Sequence, residues 1–211
     1  MNAHRVLAVT MMALSVAAGQ DFEGSVTFRV TGQEHVQSIR YLTKGTKIRL
    51  EAQEGEMQVV ILMDVGVQSI TMLMPAARMY MEMPADMGSD EPENLPTDFR
   101  MTGKKETILG YVCEQIVIGQ EGGETEAWVT KGLGRFLQAG FPARSSSAVM
   151  KRIEEELLQK GYFPLRMITR AADRSGEVRM EATTIEKSKL ADELFSIPAG
   201  YQKMSMPPRQ Y

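Results

Sequence analysis

The sequence predicts a mainly β, antiparallel fold of one domain, with two helices in its second half. Three observations carry that reading. Apolar and polar residues alternate with period two from Phe22 onward, turn signals punctuate the alternation, and a helical apolar period is confined to residues 131–160.

Residues 1–19 stand apart from that pattern. One cation (Arg5), an apolar run from Val6 to Val16 and the small residues Ala17-Ala18-Gly19 read as a secretory signal peptide. The run falls short of the roughly 20 apolar residues that span a bilayer, and no later run is long enough either. Export to the periplasm or medium is therefore expected. No Cys follows the small residues (the sequence continues Gln20-Asp21), so no lipid anchor is expected. Residues 20–204 are read as the domain and 205–211 as a tail. A domain of about 190 residues buries enough surface to fold without staples.

Within the domain, Val26, Phe28 and Val30 alternate with Ser25, Thr27 and Arg29 and predict a half-buried strand. Ile39 and Tyr41 mark a second strand, and Ile48 and Leu50 a third. Segments 57–63 and 67–74 are apolar at odd and even positions alike, so both of their faces need cover. From Arg78 to Met83 the methionines 79, 81 and 83 share one face, opposite Arg78, Tyr80 and Glu82. Pro84, Pro92, Pro96 and five acids make 84–100 an acidic loop, because proline removes ladder donors and like charges repel. Strands resume at Lys104–Ile108, turn at Leu109-Gly110, continue over Val112–Ile118, and return through Gly119–Gly123 into Glu124–Thr130. Lys131–Ala139 is expected to form a short helix ended by Gly140 and Pro142. A longer helix is expected from the capping serines 145–147, with Val149, Met150, Ile153, Leu157 and Leu158 as its apolar stripe and Gly161 as its C-cap. Strands over Leu165–Arg170 and Glu177–Ile185, then a helical turn at 190–195, complete the pattern.

Composition excludes several functions. The net charge is −3 over 211 residues and one unit more acidic without Arg5, which suits neither nucleic acid nor an anionic membrane. Cys113 is the only cysteine, so no internal disulfide can form. Beyond the leader His35 is the only histidine, which removes His clusters and His-based metal triads. His-Glu-x-x-His and Gly-x-Ser-x-Gly are absent, and Gly132-Leu133-Gly134 lacks the rest of a dinucleotide loop. Glu154, Glu155 and Glu156 read as the wet face of a helix, and Cys113 as a small buried hydrophobe. A Cys113–His35 pair is formally possible, though nothing local supports it. The expectation is a protein without catalytic residues, cofactor or metal.

The one compositional excess is methionine. The chain has 17, with Met72, Met74, Met79, Met81, Met83 and Met87 inside sixteen residues. Thioethers fill irregular cores, form adaptable surfaces for a lipid or acyl chain, and ligate Cu(I), although no histidine lies near these to complete a typical metal site. The reading carried forward is a hydrophobic small molecule or acyl chain held between sheet and helices. Met72, Met74, Met79, Met81, Met83, Trp128, Phe136 and Met150 are its candidate lining. The rival is a structural or protein-interaction module of the envelope with a filled core, using the 84–100 loop to meet its partner.

Several segments carry a resemblance. Lys47-Ile48-Arg49-Leu50-Glu51, Leu73-Met74-Pro75 before Met79-Tyr80, and Ile108-Leu109-Gly110-Tyr111-Val112-Cys113-Glu114 occur in that order. Ala127-Trp128-Val129-Thr130, Gly161-Tyr162-Phe163-Pro164-Leu165-Arg166 and Phe195-Ser196-Ile197-Pro198-Ala199-Gly200-Tyr201 follow. The succession resembles the exported bacterial domain-of-unknown-function family forty-four-twelve over most of 22–204. That family is similar in layout to the periplasmic lipoprotein-localisation carriers. The resemblance implies a strongly curved antiparallel half-barrel with residues 131–160 as two helices across its concave face. It implies no catalytic residue. The carriers line their cavity with aromatics, whereas methionines dominate here.

Overall fold

The computed structural model describes residues 22–32, 36–54, 57–83, 98–120, 123–137, 155–171 and 176–204. The expected leader (residues 1–19), His35, Met87, Met150, Glu154, the serines 145–147 and the expected 205–211 tail lie outside them. So does the 84–97 part of the expected loop.

Among the described residues, twelve strands form one open, curved sheet. They are β1 (Gly24–Thr31), β2 (Val36–Lys44), β3 (Lys47–Glu54), β4 (Met57–Asp64), β5 (Ser69–Met74) and β6 (Met79–Met83). After the undescribed segment come β7 (Asp98–Ile108), β8 (Tyr111–Gln120), β9 (Gly123–Thr130), β10 (Phe163–Ala171), β11 (Glu177–Lys187) and β12 (Gln202–Lys203). The order across the sheet is β12-β6-β5-β4-β3-β2-β1-β11-β10-β9-β8-β7, so two consecutive meanders meet where β1 pairs with β11. Every pairing is antiparallel except β12 against β6.

Opposed residues share a face, so the register sorts the side chains. One row runs Val26–Tyr41–Leu50–Ile61–Met72–Met81, and a parallel one Thr43–Ile48–Met63–Ile70–Met83. In the other meander Val30–Met180–Met167–Ala127–Ile116 continues this inner face. The main core lies here. Leu133 and Phe136, from the stretch after β9, and Leu157 of helix α1 (155–160) are fully buried in it. Phe136 stacks on Tyr41 and meets Phe163 edge-on, while Phe28 stacks on Phe163. Such pairs add about 0.5–1.5 kcal/mol each beyond their buried area.

Three expectations meet the structure differently. The helix over Lys131–Ala139 is not formed across its described part, because Gly132 and Gly134 take φ of 85° and 82°, left-handed values that no right-handed helix accommodates. The described residues 131–137 are therefore irregular rather than helical, and α1 is the one α-helix among the described residues, where two were expected across the concave face. The acidic loop ends sooner than residue 100, since Asp98, Phe99 and Arg100 already pair with β8. Gly161 does cap α1: at φ 63° its N–H reaches the Leu158 carbonyl at 3.1 Å, and the Tyr162 N–H reaches Leu157 at 2.8 Å.

The outer face answers why β4 and β5 are apolar on both sides. Val60, Leu62 and Leu73 form a second small core, and Tyr201 and Tyr80 pack on it. The C-terminal segment passes over this face. The Arg49 guanidinium donates to the Leu194 carbonyl at 2.9 Å, Lys44 donates to the Leu190 carbonyl at 2.7 Å, and the Leu190 N–H donates to a Glu23 carboxylate oxygen at 2.6 Å. Its end becomes β12, with Lys203 ion-paired to Glu82.

Candidate apolar binding surface

The register brings five of the candidate residues together. Met72 opposes Met81 and Met74 opposes Met79, while Met83 opposes Ile70 two positions along from Met81. All five methionines project from the inner face of β5 and β6 and are half-buried. The turn between the strands fixes this alignment. Pro75–Ala77 forms a single 3₁₀ turn, and Arg78 closes it at φ 50°, donating its N–H to the Pro75 carbonyl at 3.1 Å.

Beside the methionines lies a depression of about 180 Å³ lined by Ile39, Leu50, Ala52, Val59, Ile61 and Met72, with Gln37 as its polar member. Apart from Met72, the candidate lining read from sequence does not include these residues. Their signal is nonetheless present, since all lie at the inward parity of β2, β3 and β4. A second depression, of about 230 Å³, lies where Phe195 and Ile197 cross the outer face. Lys47, Asp64, Ser69 and Thr71 give it a polar lining.

The other candidates lie elsewhere. Phe136 is on the inner face but wholly buried among Phe28, Tyr41 and Phe163, where it acts as core. Trp128 is on the outer face of the other meander, in the row Arg29–Glu181–Arg166–Trp128–Gln115. It cannot line a surface shared with the methionines. Its indole N–H donates to Glu126 at 3.0 Å. Burial pushes the Glu126 carboxyl up, but donors from Gln115, Trp128 and Arg170 outweigh this and leave it below the ordinary range.

That outer face is polar and paired. Arg166 donates to Glu106 at 2.8 Å and to Glu181 at 2.9 Å. The Glu106 bond, with Glu181 beside it, holds the guanidinium pKa above its usual value. Cys113 lies directly opposite Glu106 in the β7–β8 pair and is fully buried, its Sγ 3.5 Å from the Tyr111 carbonyl. Burial pushes the thiol pKa up, the reverse of an activated nucleophile. Among the described residues no three His, Cys, Asp or Glu side chains are grouped to hold a metal ion, and no helix is long and apolar enough to cross a membrane.

An open, curved antiparallel sheet with one face half plugged and half apolar defines the class of this protein. The chain belongs to the family described as Domain of unknown function (DUF4412), whose profile matches residues 22–201. No curated protein matches the chain. An uncharacterized conserved protein from Thermus thermophilus is similar in structure, with a TM-score of 0.56 at 11% identity, over 88% of this chain and 91% of that one. PNGF-II is similar with a TM-score of 0.53 at 15% identity over 89% of this chain, which spans only 31% of the PNGF-II chain. At these identities the likeness is one of fold. A Vibrio parahaemolyticus domain provisionally assigned to outer membrane lipoprotein sorting aligns over 83% of this chain and 90% of its own, at 9% identity. Its TM-score of 0.35 carries no conclusion about this protein.

Proposed function

We propose that this is an exported, non-enzymatic binding protein that holds an apolar chain, such as a lipid acyl group, on the inner face of β2 to β6. One observation carries the reading. The inner face is filled by Leu133, Phe136 and Leu157 over one part, yet toward β5 and β6 its methionines stay half-exposed beside an unfilled apolar depression. Unbranched thioether side chains re-pack around varied apolar shapes. The depression is smaller than the roughly 300–1,000 Å³ of typical small-molecule sites. It therefore suits the end of a chain, with the remainder lying along the methionine rows.

Native mass spectrometry of the protein purified from its envelope, followed by displacement of a fluorescent fatty acid, tests this. Ala52→Phe, which fills the depression, should abolish displacement while leaving the circular dichroism unchanged. No co-purifying ligand and no displacement would favour the rival, an interaction module with a filled core. Deleting residues 86–97 and repeating a pull-down then asks whether a protein partner depends on that segment.

A further inference from the structure

We infer that Met72, Met74, Met79 and Met81, with Met83 beside them, form a thioether site for a soft monovalent cation, Cu(I) or its analogue Ag(I). Directly opposed residues in an antiparallel pair have Cβ atoms about 4.5–5.5 Å apart, and diagonal neighbours about 7–8 Å. The pairs Met72–Met81 and Met74–Met79 are adjacent on one face, so four flexible thioethers project from one compact patch. The Pro75–Ala77 turn holds that alignment before any ion arrives.

Two observations separate these sulfurs from ordinary core filling. Met63, Met167 and Met180 on the same face are buried to 4–6% exposure, whereas the five at β5 and β6 are all half-exposed. The site also lies beside the sheet edge, where β12 pairs with only Met79 and Tyr80 of β6. The inner-face rows leading to it (Tyr41, Leu50 and Ile61; Ile48, Met63 and Ile70) bring no carboxylate or imidazole. An all-thioether, uncharged set is wrong for Mg²⁺, Ca²⁺ or Zn²⁺, which want oxygen or nitrogen and compensating charge. It suits a soft cation of single charge.

The surface overlaps that of the proposed apolar ligand, but the inference does not rest on it. Replacing Met by Leu keeps apolar volume and removes only sulfur. The mature chain would be titrated with silver nitrate in chloride-free buffer and read by native mass spectrometry, then with Cu(I) anaerobically against a chromogenic chelator. The expected result is one Ag(I) per chain. The variant combining Met72→Leu, Met74→Leu, Met79→Leu and Met81→Leu should lose it while retaining the circular dichroism of the wild type. Should that variant fail to fold, methyl-labelled methionine spectra of the wild type decide, with Ag(I) shifting the methyls of the five and not those of Met167 or Met180. Absence of Ag(I) uptake, retention by the folded variant, or shifts confined to other methionines would overturn the site. Metal uptake without displacement sinks only the apolar-ligand reading, and displacement without uptake sinks only this one.

Discussion

The hydroxyl of Tyr41 donates to the backbone carbonyl of Arg135 at 2.7 Å while accepting the Leu137 N–H at 3.1 Å. One side chain on β2 thus binds the backbone on either side of Phe136 and holds that ring in the core. Tyr41→Phe keeps the stacking and deletes both bonds. We expect a loss of about 1–3 kcal/mol, the cost of leaving buried backbone groups unpaired. Urea unfolding measures the loss, and amide exchange should show faster opening at residues 133–137 than in the sheet.

Leu109 is the first residue of the β7–β8 turn and sits at φ 49°, followed by Gly110 at φ 85°. Two successive positive φ values mark a tight hairpin that prefers Asn-Gly, and a bulky residue there is strained by roughly 1–2 kcal/mol. At 46% exposure its side chain recovers little by burial. Leu109→Asn should therefore raise the melting temperature. An unchanged or lower value would mean that the leucine makes a contact worth more than the strain.

Cys113 should stay silent toward iodoacetamide in the native protein and react once it is unfolded. Cys113→Ser buries a hydroxyl at a cost of about 1–3 kcal/mol, and Cys113→Ala should cost less because it leaves no unmet polar group. Burial raises the thiol pKa, so its contribution to stability is complete below the unfolded thiol value of about 8.5 and is lost as pH rises through the higher folded value. Denaturation midpoints between neutral and alkaline pH, wild type beside Cys113→Ala, read out that difference.

Arg166 holds Glu106 and Glu181 on either side, and Arg179 also reaches Glu181 at 3.0 Å. Burial pushes the Glu181 carboxyl up, yet these two arginines bring it below the ordinary range. A depressed carboxylate contributes fully above its unfolded pKa of about 4.3 and loses that contribution as pH falls through the lower folded value. Arg166→Gln should destabilise the protein at neutral pH and flatten the acid side of its stability profile. An acid limb identical to the wild type would show that Glu181 does not depend on this contact.

Eleven of the strands are legible in the sequence, most from period-two alternation and β4 and β5 as short runs apolar on both faces, because both are local signals. The shared face of Met79, Met81 and Met83 follows from parity alone. The remainder depends on relations that parity does not carry. Lys131–Ala139 has a helical composition, but the backbone at Gly132 and Gly134 obeys the route across the core rather than local propensity. Aromatic character alone places Trp128 with the methionines, whereas its true face is set by a register relayed through six other strands, with irregularities at Thr27/Phe28 and Pro164/Arg166. Two-sided apolarity in β4 announces that a cover is needed. That the cover is Tyr201 and its neighbours, from the far end of the chain, leaves no local trace.

The β1–β11 seam bears on how the chain is made. Gly24 pairs with Lys187 and Thr31 with Arg179, so the first strand waits for almost the whole polypeptide before its second neighbour exists. The two meanders on either side are built from near neighbours and can form early, whereas joining them must close a very long loop, the slow kind of contact. A chain still under synthesis therefore presents an unpaired β1 edge, the surface on which strands from other molecules add. The yield of folded protein should depend on how quickly synthesis and release deliver residues 177–187.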